Sequence, residues 1–567
     1  MSEIQSPAMM SYVSGISDTP LLGKTIGQAL DDAAATWAAR PALIDRGTAT
    51  RWTWRQLRDQ ADAFAAGLLA LGLKPGERIG IWSLNRAEWT LTQFAAAKAG
   101  LILVTINPAY RLTELEYALN LVGCAALVTA TQFKTSDYLG MLNTLAPELA
   151  ASKPGALKAA KLPNLRIVIQ IAGSSPGTIP FTEVAKRGSD IQRAELKSLA
   201  ATLQFDDPIN IQFTSGTTGN PKGVTLTHHN ILNNGYFVGR GCALTPEDKI
   251  CISVPLYHCF GMVMGNLAAV TTGAAMVYPG EGFDPLTSLE AISGEGCTAI
   301  YGVPTMFIAQ LEHARFKEFN MASLRTGIMA GSPCPIELMK RAIALMNLRE
   351  MTICYGMTET SPVSFQSAVD DPLERRVSTI GRVHPHLEVK VIDAEGKIVP
   401  RGEKGELCTR GYSVMRGYWA QADKTAEAID AGHWMHTGDL ATIDDAGYCN
   451  IVGRIKDLVI RGGENVYPRE VEEYLYRHPK IQDVQVFGVA DQKYGEELCA
   501  WVRLRAGEQL TEAEVQAFCQ GQIAHQKIPR YVRFVDAFPT TVTGKVQKYK
   551  MREAMEQELG VKAAKTA

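Results

Sequence analysis

The sequence predicts an α/β fold with a large N-terminal domain and a small C-terminal domain. Helix-like and strand-like patterns alternate up to about residue 380, and they alternate again after about residue 455. Between these parts, short alternating segments are separated by turn sequences, which favours antiparallel strands. A chain of 567 residues is also too long for one hydrophobic core, because single domains usually have roughly 100–200 residues.

The first half of the chain has the pattern of a parallel sheet. Apolar residues recur at helical spacing over residues 54–73 and 89–99. The apolar runs that predict buried strands lie at residues 78–82, 101–106, 125–129 and 209–212. Strands that alternate with helices usually form a mainly parallel sheet covered on both faces. We therefore expect two mainly parallel αβ subdomains before residue 380.

The pattern of polar and apolar residues changes after residue 380. Segments 389–393, 405–409 and 447–451 alternate in polarity, and turns such as D-A-E-G-K and D-D-A-G separate them. This pattern predicts a small antiparallel β-barrel over about residues 380–452. The expected domains are an N-terminal domain of residues 1–454 and a compact C-terminal α/β domain of residues 455–567.

Composition and charge exclude several classes of protein. With 46% hydrophobic and 20% charged residues, the composition is that of an ordinary globular protein. The net charge of −2 gives no electrostatic reason to expect nucleic acid as a partner. The eleven cysteines include no C-x-x-C pair, so neither a disulfide framework nor a zinc site is indicated. A cytoplasmic or otherwise reducing compartment fits best.

One segment is apolar enough to test this interpretation. Residues 250–280 contain no Asp, Glu, Lys or Arg, and the segment is long enough to span a bilayer. Pro255, His258, Pro279 and several glycines interrupt it, so we predict buried strand, turn and helix. No transmembrane segment is expected, whereas weak peripheral membrane association and a homodimer both stay open.

The most informative stretch is F-T-S-G-T-T-G-N-P-K-G at residues 213–223, directly after a predicted strand. Glycines let a loop wrap closely around an anion, while backbone N–H groups and hydroxyls point at phosphate oxygens. It is not a Walker A loop, because Pro221 and Gly223 stand where that loop requires glycine and a hydroxyl. A P-loop kinase or ATPase is therefore excluded.

Other polar loops follow at long intervals. They are A-G-S-P at 330–333, Y-G-M-T-E-T at 355–360, H-T-G-D at 436–439, G-R-I-K-D at 453–457, R-G-G-E-N at 461–465 and T-G-K at 543–545. Each of them alone is more typical of a capped turn than of a site. Their order along the chain is the stronger observation.

In that order, the loops resemble those of the adenylate-forming superfamily over nearly the whole chain. The sequence is most similar to medium-chain fatty acyl-CoA synthetases. The specific part of the resemblance is P-L-Y-H-C at 255–259, R-G-G-E-N-V-Y-P at 461–468 and T-G-K-V-Q-K at 543–548.

The resemblance implies a two-step ligase that uses ATP, Mg²⁺ and coenzyme A. Attack of a carboxylate on the α-phosphorus of ATP gives an acyl-adenylate and releases pyrophosphate, and CoA then takes the acyl group and releases AMP. The residues that it places around the nucleotide are Thr214, Ser215, Gly216, Thr217, Thr218, Gly219, Lys222, Gly331, Ser332, Tyr355, Gly356, Thr358, Asp439, Arg454 and Lys545. By the resemblance, Asp439 would accept the ribose hydroxyls with support from Arg454, and residues 330–332 and Tyr355 would flank the adenine as a wall. Thr214 and Glu359 are the implied Mg²⁺ ligands, since Mg²⁺ prefers oxygen ligands.

The implied catalytic residues are Lys545, Glu359 and His258. By the resemblance, Lys545 would lie on a mobile C-terminal domain and would stabilise charge in the adenylation transition state. Lys456 matches the hinge about which that domain rotates before CoA reacts. Gly462 and Gly463 would then line the pantetheine channel, although a plain hairpin turn explains them equally well.

The acyl pocket is expected to be apolar. Amino-acid-activating relatives need an acid to pair the substrate ammonium, but this chain has no Asp or Glu between Asp248 and Glu281. The expected pocket residues are Tyr257, Phe260, Met262, Met264 and Val303, with Tyr257 and His258 at the entrance. Most such residues are ordinary core, and chain length does not follow from them.

One alternative stays open, and two others are disfavoured. The same machinery would serve a CoA ligase for an aromatic or branched acid. A non-catalytic nucleotide-binding regulator is disfavoured, because all candidate polar residues are present. A peptide-synthetase module is also disfavoured, since nothing after Lys545 resembles a carrier domain.

Overall fold

The computed structural model describes residues 9–214, 220–462, 464–541 and 544–561. These residues form two large mixed sheets, a five-stranded antiparallel sheet and a separate five-stranded sheet near the C-terminus. The predicted α/β fold class is confirmed.

The first large sheet has eight strands with a parallel centre. In spatial order its strands are Ile179–Pro180, Ile167–Gln170, Cys124–Thr129, Arg78–Trp82, Ile102–Thr105, Pro208–Thr214, Lys222–Thr227 and Gly417–Tyr418. The last two strands are antiparallel to their neighbours.

The second large sheet has nine strands and is also parallel at its centre. In spatial order its strands are Arg382–Val383, Val363–Gln366, Glu350–Gly356, Thr326–Ala330, Ala299–Gly302, Lys249–Ile252, Ala275–Tyr278, Pro41–Asp45 and Thr50–Thr53. Its central strands are buried apart from the half-buried Lys249, as expected where helices cover both faces of a parallel sheet.

The predicted antiparallel region forms a five-stranded sheet. Its strands in spatial order are Tyr12–Ser14, Leu387–Ile392, Gly405–Gly411, Met435–Ile443 and Cys449–Arg454. The first strand comes from the N-terminus and pairs antiparallel with Leu387–Ile392. The sequence pattern did not predict this contribution, because the two partners are more than 370 positions apart.

The C-terminal sheet is separate from the others. In spatial order it contains Glu464–Val466, Val459–Arg461, Gly495–Leu504 and Ile481–Asp491, and Tyr531–Phe534 pairs parallel with Gly495–Leu504. A short hairpin of Gln132–Phe133 and Ser136–Asp137 completes the strands of the described residues.

The helices cover these sheets. The α-helices are Ile26–Thr36, Trp54–Ala70, Ala87–Lys98, Leu112–Leu121, Tyr138–Leu145, Phe181–Arg187, Asp190–Ala200, His228–Gly241, Cys259–Gly261, Ala268–Thr272, Pro285–Glu295, Pro304–Leu311, Ile336–Leu345, Leu373–Ser378, Ala422–Ala428, Pro468–Leu475, Glu512–Cys519 and Lys548–Leu559. Short 3₁₀ turns lie at Pro147–Ala151, Phe316–Glu318, Thr358–Thr360, Ile455–Asp457 and His525–Lys527, and a π-helix spans Met262–Leu267.

The helix Trp54–Ala70 illustrates why these segments fold as they do. Thr53 accepts a hydrogen bond from the backbone of Gln56, and the Gln56 side chain accepts one from Thr53, so the first turn is closed by a capping box. Leu57 and Phe64 recur at helical spacing and are buried, as the sequence predicts. Burying each such side chain stabilises the fold by roughly 1.5–3 kcal/mol.

The apolar segment 250–280 is also buried as predicted. It forms the strands Lys249–Ile252 and Ala275–Tyr278 with helical turns between them. Within the described parts of the chain, no helix combines the length and the apolar character that crossing a bilayer requires.

Candidate active site

The phosphate-loop sequence connects two paired strands at one end of the first sheet. Pro208–Thr214 runs antiparallel to Lys222–Thr227, and Thr214 lies directly opposite Lys222. The intervening predicted residues Ser215, Gly216, Thr217, Thr218 and Gly219 lie outside the described residues. The Thr214 hydroxyl is buried without a hydrogen-bond partner among the described residues, so this oxygen is available to a ligand.

Glu359 lies next to this hairpin. It follows the strand Glu350–Gly356 in the turn Thr358–Thr360, and both Glu359 and Thr358 are buried. The Tyr418 hydroxyl donates a hydrogen bond of 2.9 Å to Oε1 of Glu359. The Met415 backbone N–H donates to the Glu359 carbonyl at 2.9 Å, which fixes the turn in place.

Lys222 contacts the same tyrosine from another side. Its Nζ atom lies 4.1 Å from the centre of the Tyr418 ring. Burial lowers the pKa of Lys222, while the nearby Glu359 carboxylate acts in the opposite direction. The candidate phosphate-binding residue Lys222 and the candidate metal ligand Glu359 therefore both contact Tyr418. The sequence analysis did not identify this tyrosine.

The predicted ribose-binding acid, Asp439, has two partners. Arg454 faces it across a hairpin, and its Nε donates to Oδ1 at 2.9 Å. The Tyr355 hydroxyl donates to Oδ2 at 2.6 Å. Burial, together with the Asp439 carboxylate, raises the pKa of Tyr355, so this hydroxyl stays protonated. The side chain of Asp439 is therefore held in one orientation.

A second carboxylate, Glu406, supports the turn that carries Asp439. Its Oε1 accepts a hydrogen bond from the Gly438 backbone N–H at 3.1 Å, and its Oε2 lies 2.9 Å from Nδ1 of His436. Cys408 lies beside this pair, and the donor atoms of Glu406, Cys408 and His436 all lie within 4.8 Å of one another. Burial raises the pKa of Cys408 to about 12, and both Glu406 oxygens already have partners. In this structure the group is a hydrogen-bonded support for the turn that carries Asp439.

The proposed adenine wall contacts the apolar pocket. Gly331 has a φ of +88°, and a Cβ atom there would lie 3.0 Å from a Val303 methyl. Only glycine adopts this backbone conformation without strain at so close an approach. Ser332 follows Gly331 and is half-buried, while Gly356 ends the strand that leads to Glu359.

Lys545 reaches this cleft from the C-terminal part of the chain. Its turn lies against the strand end at Val303, where a Cβ on Gly544 would be 3.1 Å from the other Val303 methyl. Burial among the surrounding groups and the Arg454 guanidinium lower the pKa of Lys545 to about 8, against the pull of Asp439, Asp457 and Glu359. Neighbouring groups thus surround Lys545 closely, although the residue keeps an exposed surface of its own. The described structure therefore brings Lys545, Glu359, Asp439 and Arg454 together.

His258 lies near the same ammonium. Burial, with a smaller contribution from Lys545, lowers the pKa of His258 to about 4, so the imidazole is neutral at pH 7. Its Nδ1 accepts a hydrogen bond from the Phe260 backbone N–H at 3.2 Å, which caps the short helix that follows. A neutral imidazole with one nitrogen engaged is suited to orienting a carboxylate, and less so to neutralising it.

The predicted acyl-pocket residues are all buried. Phe260 stacks on Tyr301 with ring centres 6.1 Å apart, and Met262 and Met264 lie in the π-helix. Val303 belongs to the same hydrophobic cluster as Phe260 and the two methionines. Tyr257 is also buried, and its hydroxyl has no hydrogen-bond partner among the described residues. The sequence did not predict the π-helix, a feature that is frequent at functional sites.

The predicted hinge and pantetheine residues follow Arg454 directly. Lys456 is the middle residue of the turn Ile455–Asp457, which connects the antiparallel sheet to the C-terminal sheet. The Gly462 backbone N–H donates to the Tyr494 carbonyl at 2.7 Å. Gly463 lies outside the described residues.

Several solved structures share this architecture. The structure is similar to the anthranilate CoA ligase AuaEII in complex with anthranoyl-AMP, with a TM-score of 0.84, 26% identity and coverage of 96% of this chain and 99% of that chain. It is also similar to ATP-bound MatB from Rhodopseudomonas palustris, with a TM-score of 0.81, 28% identity and coverage of 95% and 100%. Fold and site together define an adenylate-forming enzyme.

Sequence comparison identifies the family. Residues 30–419 match the AMP-binding enzyme family and residues 470–545 match the AMP-binding enzyme C-terminal domain. The chain belongs to the AMP-binding enzyme family. It is 47% identical over 554 residues to the mitochondrial medium-chain acyl-CoA ligase ACSF2 of Danio rerio, covering 97% of this chain and 91% of the relative. The Homo sapiens protein of the same name is 45% identical over 560 residues, with coverage of 97% and 91%.

These findings confirm the predicted resemblance and reaction class. The protein is an enzyme of the acyl-CoA synthetase branch, and the reaction is acid–thiol ligation through an acyl-adenylate.

Proposed function

We propose that the protein is an ATP- and Mg²⁺-dependent acyl-CoA synthetase for straight, medium-chain fatty acids. The observation that carries this proposal is the position of Lys545. Its ammonium lies among Asp439, Arg454 and Glu359, and its turn contacts Val303 of the apolar wall. Lys545 thus lies between the residues that would bind the nucleotide and the apolar pocket that would bind the acid. The relatives named as medium-chain acyl-CoA ligases support the same chain length.

In the adenylation step, two anions must be brought together. Asp439 would bind the ribose hydroxyls, with Arg454 and Tyr355 holding its carboxylate in place. Lys545 would bridge the acid carboxylate and the α-phosphate, where negative charge is shared in the transition state. Positioning and electrostatic stabilisation then supply most of the catalysis, as in other phosphoryl chemistry.

The residues present fit a Mg²⁺ ion. The buried Thr214 hydroxyl lacks a partner among the described residues, and Glu359 uses one carboxylate oxygen for Tyr418. Thr214 and Glu359 would therefore hold the ion together with phosphate oxygens. When bound, Mg²⁺ would neutralise charge on the pyrophosphate that leaves.

In the thioester step, the sulfur of CoA must reach the acyl carbonyl. The docked Lys545 turn occupies that side of the cleft, so we propose that residues 455–567 rotate about Lys456 as a domain. Gly462 and Gly463 would then line the pantetheine channel. The short turn Ile455–Asp457 between two sheets is a suitable place for such a change in backbone angles.

The acid pocket would be formed by Tyr257, Phe260, Met262, Met264 and Val303. All are buried, and no carboxylate lies between Asp248 and Glu281 to pair a substrate ammonium. The flexible methionine side chains suit alkyl chains of varied length. An aromatic or branched acid is the second candidate, because the ring of Phe260 stacks on Tyr301 in this wall.

Pyrophosphate release tests this function. The purified enzyme is incubated with MgATP and single acids from two to sixteen carbons, with benzoate and isovalerate as aromatic and branched controls. We expect release only when both ATP and an acid are present, with a maximum at medium chain length, and CoA should then convert the adenylate to acyl-CoA. Release without an acid, or a maximum with benzoate or isovalerate, would contradict the proposal.

The compartment follows from cysteine chemistry. All eleven cysteines are buried and free. We propose that the enzyme works in the cytoplasm or another reducing compartment, in which unpaired thiols persist.

A further inference from the structure

Tyr418 is a buried side chain that contacts both Glu359 and Lys222. It lies on the short edge strand Gly417–Tyr418, which pairs antiparallel with the strand that begins at Lys222. Its backbone N–H donates to Thr425 at 2.9 Å, so strand and helix together fix the backbone from which the buried ring projects. The side chain therefore has little freedom to move.

The hydroxyl of Tyr418 has Glu359 as its hydrogen-bond partner among the described residues, at 2.9 Å. A carboxylate oxygen can only accept, so the phenol hydroxyl is the donor in this contact. A hydrogen bond to one carboxylate oxygen fixes the direction of the other. Carboxylates that bind metals commonly receive such a bond, and its loss typically weakens metal binding about 10–100-fold.

The ring of Tyr418 has a different partner. The Lys222 ammonium lies 4.1 Å from the ring centre, within the range of a cation–π contact. This contact holds the cation beside the phosphate-loop hairpin while no phosphate is bound. An ammonium that is already partly desolvated and oriented loses less entropy when an anion arrives.

We propose that Tyr418 is a positioning residue that aims Glu359 at Mg²⁺ through its hydroxyl and holds Lys222 for the triphosphate through its ring. This inference rests on the proposed function, because it assumes that Glu359 binds Mg²⁺ and Lys222 binds phosphate. The two halves of the side chain are separable. Tyr418→Phe removes only the hydroxyl, whereas Tyr418→Leu also removes the ring.

The decisive measurement is the affinity for α,β-methylene-ATP, determined by calorimetry with and without Mg²⁺. In Tyr418→Phe, the affinity for the Mg²⁺ complex should fall roughly tenfold, while the affinity for the metal-free analogue should stay within about twofold. In Tyr418→Leu, both affinities should fall, because Lys222 loses its contact as well. Thermal unfolding of each variant shows whether the protein still folds.

Tyr448→Phe is a matched control. The Tyr448 hydroxyl also donates to a buried carboxylate, that of Asp371, at 2.5 Å, and the pair lies outside the proposed site. Equal losses in the Tyr418→Phe and Tyr448→Phe variants would overturn the proposal, as would equal losses with and without Mg²⁺.

The outcome is independent of turnover. If Tyr418→Phe loses affinity only for the Mg²⁺ complex but the wild-type enzyme releases no pyrophosphate with any acid, the proposed function fails and the role of Tyr418 stands. If pyrophosphate release is normal and Tyr418→Phe binds the Mg²⁺ complex as tightly as the wild-type enzyme does, only the role of Tyr418 fails.

Discussion

The charge of Lys545 should set the alkaline limit of adenylation. In the unliganded cleft the pKa of Lys545 is about 8, because burial and the Arg454 guanidinium both disfavour the ammonium. The protonated form is the active form, so activity is full below this pKa and is lost as pH rises through it. The ammonium fraction falls from about nine-tenths at pH 7 to about one-tenth at pH 9, which predicts a roughly tenfold decrease in kcat/KM for ATP.

The assay is pyrophosphate release at low ATP with a saturating acid, measured between pH 6.5 and pH 10. At saturating MgATP, the falling limb should move to higher pH, because the bound phosphates favour the ammonium. Lys545→Arg keeps a positive charge throughout this range, since the guanidinium does not lose its proton. The variant should be slower at pH 7, because the guanidinium has a different shape and reach from the ammonium. Its kcat/KM should nevertheless stay constant with pH over this range.

Two results would refute this reasoning. One is a wild-type kcat/KM that stays constant up to pH 9.5. The other is the same falling limb in Lys545→Arg, which would place the titrating group elsewhere. Lys545→Ala provides the floor of the assay, and it should abolish adenylation while ATP binding is largely kept.

Three further predictions concern the hinge, the ribose site and acid stability. Lys456→Pro should block thioester formation and spare acyl-adenylate formation, measured as separate half-reactions; equal loss of both steps would count against the hinge. Asp439→Asn should raise the KM for ATP about tenfold or more, since it removes the carboxylate that would accept the ribose hydroxyls and that pairs with Arg454, and an unchanged KM would exclude the ribose contact. Burial lowers the pKa of His228 from 6.5 to about 3, so its contribution to stability is full above pH 6.5 and is lost as pH falls, when the unfolded chain takes up the proton. Between pH 7 and pH 5 this residue should cost about 2 kcal/mol of unfolding free energy, and urea titrations of His228→Asn should show a correspondingly weaker pH dependence; identical dependence would contradict this.

Much of the fold was predictable because local pattern and tertiary environment agree. The predicted strand at 78–82 matches Arg78–Trp82, and the helix over 54–73 is observed as Trp54–Ala70. The N-terminal strand Tyr12–Ser14 was not predictable, since its partner strand is remote in sequence. The π-helix Met262–Leu267 was missed for another reason, because an apolar run buried on all sides carries no periodicity from which to infer hydrogen-bond spacing.

The same contrast holds for the site. Glu359, Asp439 and Lys545 lie in short polar motifs, so the sequence indicates them directly. Tyr418 and Glu406 were missed, because each acts through a partner that only folding brings close. Short motifs do mark both residues, because Tyr418 stands in R-G-Y-W and Glu406 in G-E-L. For that region, however, the sequence pattern predicted only antiparallel hairpins.

Val303 lies between the nucleotide site and the turn that carries Lys545. One methyl of this side chain faces Gly331 and the other faces Gly544, and a side chain at either glycine would crowd the valine. Because protein interiors are close-packed and transmit strain, an acid that presses on Val303 should displace both backbones at once. We expect acids that overfill the pocket to be rejected at the docking of the lysine turn, before any chemistry begins. The fit of the acid in its pocket and the docking of the Lys545 turn would then depend on the position of the same side chain, that of Val303.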